Sequence, residues 1–517
     1  MTIIWSTRKL LISIFASCLV YVACGKADPH FHVRGVNLGG WLLVEGWIKP
    51  SLIHGIPNKD LLDGTYLRLK SVKAGKFLCP GTNGGRLALT NQKSSTKLIF
   101  RLWRINESNF HFRLHNKKFM GLQSSKKGSY IVPVSKEPGR SETFQILKYN
   151  HRSTRIRIKA PNGFFLQVNK EGHVTADSKG DGGWRDDDPS VFEMKIGRQF
   201  DGEFQVTNGY GKFAPKVMRE HWNTFITEDD FKFMSSNGIN TVRIPVGWWI
   251  AFDPTPPAPY VGGSLKALDN AFSWARKYGM KVIIDLHAAP GSQTNSAVSS
   301  SRDGFVEWGQ TDQNIQETVD VIDFLTARYA KHPSLYAVEL LNEPCAPYVT
   351  LEKLKKYYRA GYNAVRKHSS TAYVIMASRM QYGMKPIDPT ELFPLARELK
   401  GSAIDVHYYQ IFMPVFKKMN HQQNIDFLYT NTSVELNRLI KPNNPQIFIG
   451  EWATEWGTAN LAHPNLSKKT IEDYKKFGKA QLQVYGKATF GWAYWTLKCP
   501  FSHLSFEWMI KNGYLKL

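Results

Sequence analysis

The sequence predicts an α/β chain, an eight-stranded (β/α) barrel interrupted by an all-β domain, and three observations carry that expectation. From residue 239 onward, short apolar runs alternate with stretches of helical spacing, the order that builds a parallel sheet covered by helices. The polar residues closing those runs, Arg243, His287, Glu343, His407, Glu451 and Trp495, recur at intervals of 44, 56, 64, 44 and 44, so each interval holds one or two strand–helix units. The first run, 31–38, lies about 200 residues before the next, and most of the gap has an all-β period of its own.

Taken in order, Arg8 and Lys9 precede an apolar run over 10–23, and the small residues Cys24, Gly25 and Ala27 follow. This is the layout of a signal peptide over 1–27, and the run is short for a stable membrane anchor, so a secreted chain is expected. Asn106, Asn431 and Asn465 stand in Asn-X-Ser glycosylation sequons. Residues 28–59 then supply the first barrel strand and its loop. Cys79, Cys345 and Cys499 are too few and too scattered for a disulfide framework or a zinc site.

Residues 60–196 form the insert. Alternating strands at 66–70, 110–114 and 155–159 carry Arg68, Arg113 and Arg157 at spacings of 45 and 44. Each is followed by a turn and a second strand, at 76–78, 118–120 and 163–166. Three such repeats cannot bury a face singly but can close together into a three-fold barrel, a β-trefoil. The insert holds 25 Lys or Arg against 12 Asp or Glu, more than half of the chain's net +24. Secretion argues against nucleic acid as partner; an acidic polysaccharide of a cell wall would meet the same charge, and a solvated basic surface is the alternative.

Residues 197–517 complete the barrel. Strands are expected at 239–246, 281–287, 336–342, 373–378, 403–408, 446–451 and 489–495, with helices at 265–278, 314–329, 351–368 and 470–485. The runs Leu340-Leu341-Asn342-Glu343-Pro344 and Phe448-Ile449-Gly450-Glu451-Trp452 each end an apolar strand in a glutamate. Active sites of such barrels sit at the C-terminal ends of the strands. Splitting a glycosidic bond needs one proton donor and one carboxylate on opposite sides of the anomeric carbon, which two glutamates so placed provide.

The motifs GVNLGGWLLVEGWIKPSL, NTVRIPVGWW, DLHAAPGSQ, LLNEP, DVHYYQIF, IGEW and YWTLK resemble those of glycoside hydrolase family 5, in particular its exo-β-1,3-glucanase and β-glucosidase branch. The resemblance covers residues 32–58 and about 200–517, and plant members of that branch are similar in carrying a fascin-like module after the first motif. It implies a (β/α)8 TIM barrel, with Glu343 as general acid/base and Glu451 as nucleophile. It further implies that Arg243 and Tyr409 hold the Glu451 charge and that Asn342 binds the sugar 2-hydroxyl. His287 and His407 would line the innermost subsite, Trp495 would stack on a sugar face, Glu45 would take outer hydroxyls, and Phe412 would supply an aromatic edge. No metal or cofactor is implied. Where fungal members carry Gly-Phe-Asp after Gly-Ser-Gln, this chain has Thr294-Asn295-Ser296-Ala297.

The expected function is a secreted, retaining β-glycosidase acting on β-glucosides or β-glucans, an exo-β-1,3-glucanase or β-glucosidase able to pass glucose to other acceptors. An endo-acting β-glucanase or mannanase of the same family, or a non-catalytic wall-binding protein, are the alternatives.

Overall fold

The structure, a computed structural model, describes residues 31–81, 85–126, 128–150, 153–181, 183–381, 385–456 and 468–517. The expected signal segment and the Asn465 sequon lie outside them. Eight parallel strands close into a barrel: β1 (Val33–Asn37), β2 (Thr241–Gly247), β3 (Lys281–Ala288), β4 (Leu335–Glu339), β5 (Tyr373–Ala377), β6 (Ser402–Gln410), β7 (Gln446–Trp456) and β8 (Gly491–Tyr494). Closure is made by β1, whose Val36 pairs with Val242 on one side and Tyr494 on the other. The strands read as near-continuous apolar runs because outward residues such as Val242, Ile284 and Val338 meet helices, leaving no wet face. Among those helices, Asp312–Tyr329 and Leu351–His368 begin at threonine caps, Thr311 and Thr350 accepting from the amides of Asn314 and Lys353. Leu351–His368 ends in Arg366, Lys367 and His368, cations that suit a helix C-terminus.

Arg243, expected to close its apolar run, is instead the third residue of β2, and two strand ends differ most from expectation. β4 stops at Glu339, and Glu343 sits four residues further on, in the left-handed region at φ 44°. β7 does not end at Glu451 but runs through it to Trp456, with irregular pairing to β8 between Ile449 and Trp452. That irregularity breaks the strict alternation of the strand where the glutamate turns inward.

Between β1 and β2 the described residues form twelve short antiparallel strands, from Tyr66–Ser71 to Phe192–Ile196. Six of them pair in a closed ring: Tyr66–Ser71, Phe100–Arg104, Asn109–Arg113, Phe144–Lys148, Arg155–Lys159 and Phe192–Ile196. The other six make three hairpins. Inward residues Leu67, Leu69, Phe100, Phe112, Phe144 and Ile158 build a core separate from the barrel's. The two ends of the insertion meet in a neck: the Gly46 amide donates to the Asp201 carbonyl (2.7 Å), Glu45 bridges Gly202, and the Tyr66 amide donates to Arg198 (2.8 Å). Cys79, Cys345 and Cys499 carry free thiols.

Candidate active site

Strand periodicity builds the floor of the site. Asp285 and His287 on β3, and Asp405 and His407 on β6, are each two residues apart and so share one face, the barrel interior. Arg243 of β2 and Glu339 of β4 point into the same space. The Arg243 guanidinium is fully buried and every arm is used. Nε and Nη2 form a fork on Glu339 (2.7 and 2.9 Å), Nη1 donates to Asn37 Oδ1 (2.9 Å) and Glu451 Oε1 (3.1 Å), and Nη2 donates to Asn342 Oδ1 (2.8 Å). Asp285 lies 3.1 Å from Nη2. Burial works against the guanidinium charge, but Asp285 and Glu339 hold the proton firmly.

Above this floor stand the two glutamates. A carboxylate oxygen of Glu343, one of Glu451 and a ring nitrogen of His407 lie within 4.8 Å of one another. Glu451 takes Arg243 on Oε1 and the Tyr409 hydroxyl on Oε2 (2.8 Å). Burial pushes its carboxyl above the ordinary range, with the Glu343 charge adding to the effect; His407 and Arg243 oppose it. The His407 ring donates from Nδ1 to Glu343 Oε1 (2.8 Å) and from Nε2 to Asp405 Oδ2 (3.0 Å). Burial would strip its proton, yet Glu451 and Asp405 outweigh burial and raise it well above the usual histidine value, so both nitrogens are donors. His287 is likewise raised, burial being overcome by Asp285, whose Oδ2 accepts from Nδ1 at 2.5 Å.

These groups open onto a cavity of about 450 Å³. Glu45, His287, Glu343, Tyr409, Phe412, Glu451 and Trp495 line it, whereas Arg243, Asn342 and His407 stand behind its wall. The Trp495 ring stacks on His287, centroids 5.5 Å apart and nearly parallel, and Phe412 packs edge-on against Tyr409 at 5.2 Å, half-exposed at the mouth. Glu45 accepts from Trp47 Nε1 (2.9 Å) and finds no partner for Oε1 among the described residues; burial pushes its carboxyl up to about 8.

Sequence reasoning missed several members. Asn37 ties β1 to the floor, donating to the carbonyls of Gly450 (2.9 Å) and Tyr494 (3.1 Å). Gln293 Nε2 donates to the carbonyls of His287 (2.7 Å) and Asn342 (2.9 Å), holding the backbone just before Glu343. Trp47, Phe501, His503 and Leu504 also line the cavity, as do Ser296, within the stretch Thr294–Ala297, and Val298 just after it. The two-residue spacing to each site histidine was the available signal for Asp285 and Asp405; nothing local marked Gln293.

A parallel barrel that brings two carboxyl groups this close at its C-terminal face, one of them fixed by an arginine and a tyrosine, defines a glycoside hydrolase centre. The chain belongs to glycosyl hydrolase family 5, the cellulase family, whose model matches residues 206–499, and it is accordingly a retaining enzyme. Residues 58–196 match a domain of unknown function, DUF7910. The chain is 32% identical over 349 residues to the glucan 1,3-beta-glucosidase of Pichia angusta, covering 60% of this chain and 77% of that one. It is 32% identical over 345 residues to the probable glucan 1,3-beta-glucosidase A of Aspergillus fumigatus, covering 60% and 78%. Among solved structures, rutinosidase from Aspergillus niger superposes with a TM-score of 0.51 at 20% identity, over 60% of this chain and 88% of that one, a likeness of fold. No helix among the described residues is long and apolar enough to cross a membrane.

Proposed function

We propose that the protein is a secreted, exo-acting β-glucosidase or β-1,3-glucanase that works through a covalent glucosyl–enzyme. The observation that carries the reading is the pair Glu343 and Glu451, with carboxylate oxygens within 4.8 Å beside one bounded cavity, since retaining enzymes hold their carboxyl groups about 5 to 5.5 Å apart. Glu451 attacks the anomeric carbon as Glu343 gives its proton to the departing glycosidic oxygen. Glu343 then takes a proton from water, or from a sugar or alcohol acceptor, as that oxygen displaces Glu451. Esterification removes the Glu451 charge, and the His407 imidazolium and Arg243 keep the cluster electrostatically supplied. Asn342, behind the cavity wall with its oxygen held by Arg243 and its Nδ2 3.3 Å from His287 Nε2, is assigned to the 2-hydroxyl, which would displace that contact. Glu45 takes outer hydroxyls of the glucosyl ring, His287 and Trp495 form its platform, and Phe412 guards the mouth.

The finer organisation belongs to the same proposal: a signal peptide over 1–27, barrel residues 28–59 and 197–517, and an insert over 60–196 that is a fascin-like β-trefoil. The closed ring of six strands with three hairpins supports that reading of the insert. Its positive excess supports contact with acidic wall polysaccharide.

The test is product analysis on β-1,3- and β-1,4-linked gluco-oligosaccharides with proton NMR of the first anomer formed. Glucose alone, released as the β-anomer, is the expected result. A ladder of oligomers would make the enzyme endo-acting, and an α-anomer appearing first would remove Glu451 as nucleophile.

A further inference from the structure

The three repeats of the insert place an arginine at equivalent points, and the three are partnered differently. Arg157 is satisfied inside the insert, with Nη2 on Asp188 Oδ2 (2.6 Å) and Nε on Ser190 Oγ (3.1 Å). Arg68 donates to the Lys93 carbonyl at 2.9 Å, again within the insert. Arg113 instead reaches the barrel: Nη1 donates to Asp303 Oδ2 (2.9 Å) and Nη2 to Glu307 Oε1 (3.0 Å). Both acids lie on the segment joining β3 to the helix Asp312–Tyr329. The Arg113–Asp303 pair is buried, so salt screens it little. Trp103 Nε1 shares Asp303 Oδ2 at 2.6 Å, and the Arg302 guanidinium lies 3.7 Å from the Trp103 ring centroid. Insert and barrel fall within one compact unit, His32–Leu517.

A few residues earlier, the same segment forms part of the substrate cavity. Ser296 and Val298 line it, and Gln293 braces the carbonyls of His287 and Asn342. The segment has little regular structure beyond one short turn, Ala297–Ser299. Ser292 and Ser300, on either side of the lining residues, sit in the left-handed region at φ 62° and 51°. Backbone of that kind in a residue with a Cβ persists only where its surroundings over-determine it. Long connections of low intrinsic order need such outside anchors to hold one conformation.

We propose that the insert sets one wall of the active site: through Arg113 it fixes the β3-to-helix segment, and with it Ser296, Val298 and the Gln293 brace. Arg113 is a positioning residue in this scheme, touching no substrate itself. The claim rests on the reading of the cavity as the glucoside pocket. It also gives the basic insert a task independent of any polymer, and removal of residues 60–196 then impairs cleavage of even a small aryl glucoside.

The test uses full-length Arg113→Ala, Arg113→Lys and Arg157→Ala proteins, with kcat and KM on p-nitrophenyl β-glucoside and hydrogen exchange of residues 293–303. Arg113→Ala is expected to raise KM about 5-fold or more with kcat within about 2-fold. Exchange over 293–303 should quicken at least about 10-fold while the six-stranded ring stays protected. Arg113→Lys, which keeps the charge, should recover most of the KM. Arg157→Ala should lower the melting temperature and leave KM alone. Equal KM shifts in Arg113→Ala and Arg157→Ala would reduce the contact to general stability and overturn the proposal, as would unchanged exchange in Arg113→Ala. If the protein cleaves no aryl glucoside at all, the functional reading falls separately, and the exchange result still decides whether the insert holds the segment.

Discussion

Glu45 is held protonated by burial, so replacing it with glutamine should stabilise the protein at neutral pH and do nothing in acid. Its carboxyl is fully buried, Oε1 has no partner among the described residues, and its pKa is pushed from 4.5 up to about 8. The sign follows from proton binding. Below pH 4.5 both folded and unfolded chains carry the proton and no penalty arises. Between 4.5 and about 8 the unfolded carboxyl ionises freely while the folded one does not, so stability falls as pH rises, and the loss is complete above the folded value. At about 1.4 kcal/mol per pH unit, the 2.5 units between 4.5 and 7 make this loss about 3 kcal/mol at pH 7 and near zero at pH 4. Glu45→Gln keeps an acceptor for Trp47 and removes the titration. Urea unfolding of both proteins at pH 4 and pH 7 measures the difference. A gain near 3 kcal/mol at pH 7 alone is expected, and the same difference at both pH values would refute the burial argument. Glucosidase activity should fall in the same variant, because the amide that stabilises the fold replaces a carboxyl proposed to take sugar hydroxyls.

Glu343→Ala should keep its first step on substrates with good leaving groups and be rescued by azide to a β-glucosyl azide, whereas Glu451→Ala should lose turnover on every substrate; a β-azide from Glu451→Ala would reverse the assigned roles. Arg243→Met leaves Glu339, Asp285 and Glu451 around an uncharged side chain, and should cost roughly 3 to 5 kcal/mol in denaturant unfolding as well as activity. Because burial raises the Glu451 carboxyl, the acid limb of the kcat/KM profile should lie above the ordinary glutamate range, activity appearing as pH rises through it; a limb at or below 4.5 would contradict this. Phe501→Ala removes a ring at the cavity mouth that packs 6.1 Å from Trp47, and should raise KM for aryl glucosides several-fold, about 1 kcal/mol, with kcat unchanged.

The barrel was legible because parallel strands buried on both faces leave a strong apolar signature, and because polar residues punctuate those runs at intervals of one or two strand–helix units. Glu343, Glu451 and Arg243 stood out for that reason. The polar floor was less visible. Asn37, Asp285, Glu339 and Asp405 sit inside apolar runs, and their meaning lies in which four strands converge on one guanidinium, a fact of closure and not of local pattern. Strand limits failed where backbone irregularity carries the chemistry, at the turn that presents Glu343 and along β7 beyond Glu451. The tail from Cys499 to Trp508 had no reading from sequence. In the structure Phe501, His503 and Leu504 are cavity wall. The all-β character of the insert was readable from its alternating strands, yet nothing in their spacing distinguished Arg113, which leaves the insert, from Arg157, which stays.

The neck of the insertion bears on how the chain reaches its fold. β1 must find β2 about 200 residues downstream and β8 still further, and contacts of such separation are slow to form. The junction of Glu45 with Gly202 and of Gly46 with Asp201 short-circuits the insert, so that along those contacts the path from β1 to β2 is about 50 residues. By the logarithmic cost of closing a loop, two halvings of length lower the entropic barrier to barrel closure by roughly 1 kcal/mol. The neck thus brings the two partners of a distant strand pairing within reach of each other, and one of the residues that fasten it, Glu45, lines the active-site cavity.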